Sequence, residues 1–196
     1  MLILASKSRA RAGMLAAAGV AVELVPADID ERLLDHAWVA AGHTPAEIAG
    51  LLAEAKAAAV SRMRPGTTVI GADQTLALGP DRFSKPGNLA EARNHLRLFR
   101  GRIHHLHSAV ALARDGEVTF AHVASAAMQV RAFSEDFLER YLTTMGDRML
   151  DSVGCYQFEG PGIQLFDRIE GDYFTILGMP LLPLLAALRE QGLLAS

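Results

Sequence analysis

A single cysteine, Cys155, stands among 196 residues. That excludes an internal disulfide framework and any multi-cysteine zinc site. No apolar run approaches the ~20 residues a helix needs to cross a bilayer, so a membrane partner is not expected. The first apolar stretch, residues 2–5, is too short for a secretory leader, and its cations follow it instead of preceding it. The expected compartment is the cytoplasm. An excess of positive charge is also missing: 19 Lys and Arg against 22 Asp and Glu give a formal charge of -3, which argues against a nucleic-acid polymer as partner. Any anion site must therefore be local. Neither a Walker A loop nor a G-x-G-x-x-G fingerprint occurs, and there is no internal repeat or low-complexity tract.

What is present alternates between helix and strand signals. Residues 2–5 read as a short strand, 9–18 as a helix stopped by Gly19, and 20–30 as a second strand running into an acidic turn. Thr44, Pro45 and Glu47 form a capping-box pattern at the head of an Ala/Leu-rich helix over 44–63. The β-branched run from Thr67 predicts a buried strand that ends near Gly71. A helix follows over 88–99, then a hairpin turning at Asp115-Gly116, a helix capped by Ser134, a stretch of strands and glycine turns, and a terminal helix over 181–191. The expected fold is α/β with a mixed sheet and flanking helices.

Four local features bear on chemistry. In "LASKSRARAG", a strand turns into a helix, where free backbone N–H groups and the helix dipole favour anions. Ser6 adds a hydroxyl and Arg11 a planar guanidinium suited to phosphate. The same letters also describe a serine cap ahead of a solvated basic face. Asp73 follows Gly71 at the predicted strand end, a place for a metal ligand or proton acceptor, or simply for a turn. Lys56 is the one cation within its alanine-rich stretch, and Lys85 precedes Pro86 in a turn; each reads as a ligand or as a solubilising charge. The glycines of "EGDYFTILGMP" suggest tight turns near a pocket or plain backbone relief. On a strand, His105 and His107 share one face and His104 the other, so they read as structural or surface residues; Cys155 reads as packing.

Together these pieces resemble the Maf family of nucleotide pyrophosphatases over nearly the whole chain. The family's "LAS-x-S-P-R-R" is matched by "LASKSRAR", its "IDE" turn by Ile29-Asp30-Glu31, and its "A-x-x-KA" by Ala53, Lys56 and Ala57. Its "GAD" is matched by Gly71-Ala72-Asp73, its "KP" by Lys85-Pro86, and its "TAVAL" strand by "SAVAL". "GCY", Gly160, Gly162 and "IEGDYFTILGMP" complete the order.

The resemblance implies a single domain over residues 1–196 with two lobes around a cleft, like the inosine triphosphate pyrophosphatases. It implies hydrolysis of a nucleoside triphosphate between its α and β phosphates, a divalent cation such as Mg²⁺ or Mn²⁺, and a homodimer. It also implies Asp73 as the proton acceptor, with Ser6, Arg11, Lys56 and Lys85 on the phosphates, and Glu31 beside Asp73 as metal ligands. Members that prefer 7-methyl-GTP carry Gln after "GAD" and Glu in the late glycine-rich loop, matched here by Gln74 and Glu159. A carboxylate at Glu159 would accept from the N1–H and exocyclic amine of guanine. The pattern departs at Ala10, where the family has Arg or, in the 7-methyl-GTP group, an aromatic. A modified purine nucleotide is the expected substrate. A nucleotide-binding regulator of cell division is the competing expectation.

Overall fold

The structure is a computed structural model that describes residues 1–195. Its seven strands form one sheet in the order β2-β1-β3-β5-β6-β7, with β4 paired to β3. In chain order the elements are β1 (Leu2–Leu4), α1 (Arg9–Ala17), β2 (Val22–Leu24), α2 (Glu31–Ala40), α3 (Pro45–Met63), β3 (Thr68–Leu78) and β4 (Asp81–Phe83). These are followed by α4 (Leu89–Phe99), β5 (Ile103–Arg114), β6 (Glu117–Val130) and α5 (Glu135–Met145). Two 3₁₀ turns, Gly146–Asp151 and Pro161–Leu165, precede β7 (Phe166–Glu170), α6 (Tyr173–Ile176) and α7 (Leu181–Glu190).

The chain divides into two compact units. The first holds Met1–Gln74, His107–Ser125 and the segment from Asp172 onward; the second holds Thr75–Leu106 and Ala126–Gly171. In the first, β1 pairs parallel with both β2 and β3 and is buried along its length, as expected of a strand covered on both faces. The chain leaves β1 through α1 to β2 on one side, and β3 lies on the other. The strand order therefore reverses between β1 and β3, which marks the carboxyl ends of these two strands as the place for a ligand.

Helix α3 packs against this part of the sheet. Helix α3 starts in a full capping box: Thr44 Oγ1 accepts from Glu47 N at 3.3 Å, and Glu47 Oε2 accepts from Thr44 N at 2.7 Å. Its alanines Ala49, Ala53 and Ala57 then pack on Ala109, Ala111 and Ala113 of β5. Small side chains at this seam let the helix backbone come close. At Gly71 it comes closest: a Cβ there would sit 2.0 Å from Ala53 O and 2.7 Å from Ala57 N.

The second unit is built on aromatic contacts. Phe99 lies between Phe83 and His104, and Phe166 packs edge-on to Tyr156. His104 Nε2 meets the Tyr156 hydroxyl at 2.8 Å, and its Nδ1 has no partner among the described residues. Burial pushes this imidazole from 6.5 down to about 3, and the neighbouring His105 adds a smaller push the same way. Between those values the unfolded chain binds a proton that the native state refuses. Stability is thus complete above the unfolded value and falls as pH drops through the window, by up to about 1.4 kcal/mol per pH unit. His104→Gln, which cannot take the proton, is expected to flatten that slope in urea unfolding followed from neutral to mildly acid pH. A slope equal to that of the wild type would refute the assignment.

Most of the predicted elements are found, and the exceptions are informative. β3 does not end at Gly71 but runs on to Leu78, so Asp73 sits inside a strand. The apolar residues after Gln74 continue the buried ladder, and Gly71 serves a close helix contact instead of a turn. The second strand is only Val22–Leu24, and the acidic turn after it leads into a helix not expected from the sequence, α2, with the Asp30 side chain accepting from Leu33 N as its cap. Between Gly146 and Pro180 only β7 is strand; the rest folds as 3₁₀ turns and the short α6. His104 is buried and His105 exposed, as the alternation required.

Candidate active site

Ser6 lies directly beyond β1 and is largely buried. Its Oγ accepts from Ser8 N at 3.1 Å, and Ser8 in turn caps α1 by accepting from Arg11 N at 3.3 Å. The helix start is thus partly closed by its own serines. Lys7 and Arg9 are exposed, which leaves Arg11 as the cation of this turn that points inward.

Arg11 is held by backbone oxygens. Its Nε donates to Gly178 O and its Nη1 to Ala72 O, both at 2.9 Å, with a longer contact from Nη1 to Ser6 Oγ at 3.4 Å. Gly178 has φ +103, a conformation that suits glycine and turns its carbonyl toward the guanidinium. The Nη2 hydrogens find no protein acceptor among the described residues, so one edge of the fork remains for an anion. Burial pushes the guanidinium down from its ordinary value, while the carboxylates of Asp73 and Glu31 pull it back up.

Asp73 shares the α3-facing side of β3 with Gly71, two residues earlier. Because α3 rests on Gly71, the Lys56 ammonium reaches Asp73 Oδ1 at 2.5 Å. Glu31, the first residue of α2, approaches the same ammonium at 2.9 Å. Lys56 is buried, Asp73 nearly so, and Glu31 about half exposed. One cation therefore holds two carboxylates together at the carboxyl end of the β1–β3 pair. Removing it would leave both negative charges facing each other, at a cost near the lower end of the ~3–5 kcal/mol seen for broken buried pairs, because Glu31 can hydrate. Lys56→Met should lower the urea unfolding free energy by about that lower figure; a change within error would show that the pair contributes nothing.

Gln74 points to the opposite face of β3. Its Nε2 donates to Ser108 Oγ at 2.9 Å, Ile176 O at 3.1 Å and Thr175 O at 3.2 Å. Ser108 and Thr175 are fully buried, and neither was singled out from the sequence. A hydroxyl residue inside the apolar run "SAVALA" was the available signal for Ser108. Thr175 belongs to α6, whose cap Asp172 accepts from Phe174 N at 2.9 Å and Thr175 N at 3.0 Å.

Of the residues expected at a site, the first unit thus brings together Ser6, Arg11, Glu31, Lys56 and Asp73, with Gln74 behind them on the same strand. Lys85 and Glu159 belong to the second unit. Lys85 is exposed after β4, and Glu159 is exposed just ahead of the second 3₁₀ turn.

The family model described as Maf-like protein matches residues 1–191. The 7-methyl-GTP pyrophosphatase of Brucella suis biovar 1 is 52% identical over 97% of this chain and 96% of its own. A nucleoside triphosphate pyrophosphatase of Rhodopseudomonas palustris is 54% identical over 99% of this chain and 95% of its own. Among solved structures, a HAM1 protein from Coxiella burnetii overlays with a TM-score of 0.44 at 17% identity, covering 67% of this chain and 73% of that one.

Proposed function

The chain belongs to the Maf family, and from that premise we propose that it is a nucleoside triphosphate pyrophosphatase that cleaves between the α and β phosphates. The observation that carries this reading is the 2.5 Å contact of Lys56 with Asp73 beside the partly open guanidinium of Arg11. A triphosphate brings about four negative charges, which need fixed donors and cations as charge moves in the transition state. Arg11 Nη2 and the Ser6 hydroxyl supply these from the end of β1, and Lys85 is the second lysine assigned to the phosphates.

In the reaction, water attacks the α phosphorus in line; its O–P bond forms as the bond to the bridging oxygen breaks and pyrophosphate leaves. Asp73 takes the water proton. It gives Oδ1 to Lys56 and keeps Oδ2 without a protein partner among the described residues, so a lone pair is available for that proton. Holding the carboxylate inside a strand, by a buried ammonium, fixes its direction before substrate arrives.

Glu31 and Asp73 also suit a hard divalent cation. Each gives one oxygen to Lys56; Glu31 retains its second oxygen for the ion, and Asp73 Oδ2 has a second lone pair besides the one that takes the proton. Mg²⁺ is commonly held by one or two carboxylates plus substrate phosphates, not by a closed protein cage, and no such cage of three or more ligands occurs among the described residues. Bound there, Mg²⁺ or Mn²⁺ would neutralise charge on the phosphate oxygens.

For the base, Gln74 and Glu159 favour a modified purine, with 7-methyl-GTP the first candidate; Ala10 removes the ring that would stack on it. The relatives carry names of both kinds at similar identity, which supports the reaction more firmly than the base. A homodimer, checked by light scattering, is part of the same reading. The test is pyrophosphate release from a panel including 7-methyl-GTP, GTP, dTTP and UTP with Mg²⁺ or Mn²⁺, with and without EDTA. Release from 7-methyl-GTP that EDTA abolishes is expected. Binding of nucleotide without turnover of any member would overturn the enzyme reading in favour of a regulator, and orthophosphate in place of pyrophosphate would indicate a different phosphate chemistry.

A further inference from the structure

We propose that Ser108 is a positioning residue that, together with the carbonyls of Thr175 and Ile176, fixes the polarity of Gln74, so that the glutamine offers the nucleotide a hydrogen-bond acceptor and no donor. This rests on the pyrophosphatase reading for its ligand, but its geometry is independent of it.

Ser108 sits on β5, the neighbour of β3, and is fully buried. Its hydroxyl has one hydrogen, which goes to Thr175 O at 2.7 Å. What remains on Ser108 Oγ facing Gln74 at 2.9 Å is a lone pair. The other neighbours of the same carboxamide corner are carbonyl oxygens, Thr175 O and Ile176 O. All three surroundings are acceptors, so the amide nitrogen must face them; the flipped rotamer would set an oxygen against three oxygens. The two amide hydrogens are therefore spent inside the protein.

Oε1 is thereby turned the other way. It lies 3.6 Å from the point where a Cβ would stand on Gly178, and Arg11 Nε and Nη2 lie 3.7 Å from that same point. The missing side chain at Gly178, with φ +103, leaves this corner open. A lone-pair oxygen thus stands at the corner that the Arg11 fork also borders. The matching ligand group is an N–H or O–H donor on the nucleotide. Two parts of a nucleotide carry such groups: the base, through an exocyclic amine or ring N–H, and the sugar, through its hydroxyls. A base or sugar that presents only acceptors there would meet a desolvated oxygen and be rejected.

The test has a spectroscopic arm and a kinetic arm. In the wild-type protein, the Gln74 side-chain NH₂, assigned through its loss in Gln74→Glu, should exchange with solvent at least ~tenfold more slowly than exposed glutamine amides. Ser108→Ala should speed that exchange without abolishing protection, because the amide loses its shortest acceptor contact, at 2.9 Å, and keeps only the longer ones to Thr175 O and Ile176 O. Ser108→Thr, which keeps the hydroxyl, should restore the wild-type rate. In the kinetic arm, GTP is compared with ITP, which lacks the exocyclic amine, with 1-methyl-GTP, which lacks the ring N–H, and with the 2′- and 3′-deoxy analogues, which lack one sugar hydroxyl each. Wild-type and Ser108→Thr proteins should discriminate in kcat/KM against one of these analogues, and equal rates with all of them would overturn the proposed contact. In Ser108→Ala that ratio should shrink by roughly tenfold, the usual scale for one buried hydrogen bond. The arm that shrinks says whether base or sugar is read.

Rapid exchange of the Gln74 amide in the wild type would overturn the proposal, as would unchanged exchange and unchanged ratios in Ser108→Ala. If Ser108→Ala fails to fold, Ser108→Cys, whose thiol is a weaker acceptor, takes its place: exchange faster than in Ser108→Thr is expected, and equal exchange overturns the proposal. If no nucleotide yields pyrophosphate, the function reading fails while the exchange arm still judges the role of Ser108.

Discussion

Asp73→Asn should leave a folded protein that binds nucleotide and turns it over ~10²–10⁴-fold more slowly, the range assigned to a positioned general base. The substitution keeps shape and removes both the charge and the proton-accepting lone pair. Lys56 retains Glu31 at 2.9 Å, so the cluster loses one ion pair without stranding its cation. Much of the binding should be retained: a negative charge beside the triphosphate is gone, although one of the two carboxylates offered to the divalent cation goes with it. Circular dichroism, calorimetric titration with 7-methyl-GTP and pyrophosphate release measure the three quantities separately. Two results would be decisive against the assignment. Wild-type turnover would remove Asp73 from the chemistry, and recovery of the rate by raised Mn²⁺ would make it a metal ligand only.

Gly71→Ala has the second largest expected effect, and it acts without touching a single polar group. A Cβ at 2.0 Å from Ala53 O and 2.7 Å from Ala57 N meets backbone that cannot swing aside as a side chain does. α3 must retreat from β3, or β3 must buckle. Overpacking costs are commonly about 1–3 kcal/mol where side chains can adjust, and here the upper end or more is expected. The same retreat draws Lys56 away from Asp73, since Ala53 and Ala57 flank it on the helix. Because a misplacement of about 1 Å can cost ~10²-fold in rate, turnover should fall even in the fraction that stays folded. Urea unfolding together with specific activity corrected for folded protein would check both parts. An alanine variant with unchanged stability would refute the close approach of α3 to Gly71.

Much of this site was legible in the letters, though unevenly. Caps announced themselves: Thr44 with Glu47, and Ser134, make the side-chain bonds their types and spacings suggest. So did the Asp115-Gly116 hairpin turn, whose two residues both have positive φ. Gly71 was misread because a glycine after β-branched residues signals a strand end and a close helix contact in the same way; only the three-dimensional neighbour separates them. Lys56 was ambiguous for a related reason. Its burial depends on two carboxylates, one 25 residues earlier and one 17 later, which no local pattern connects. Ser108 carried only the faint signal of a hydroxyl in an apolar run, because a buried hydroxyl gains its meaning from partners on β3 and α6. Local chemistry writes itself into short stretches; convergence of distant elements does not.

The alanine seam between α3 and β5 carries a last consequence, for how this protein can change over generations. Most cores weaken by degrees, because a leucine can shrink to valine or alanine and leave a tolerable hole. Ala49, Ala53 and Ala57 against Ala109, Ala111 and Ala113 have almost nothing left to shrink. Nearly every replacement enlarges a side chain where helix and strand are already in contact. Drift at these six positions therefore has few intermediate grades: a lineage keeps alanine, or something equally small, or moves the helix that carries Lys56 and with it the rate. The plainest residues in the chain are thereby among the least free to vary.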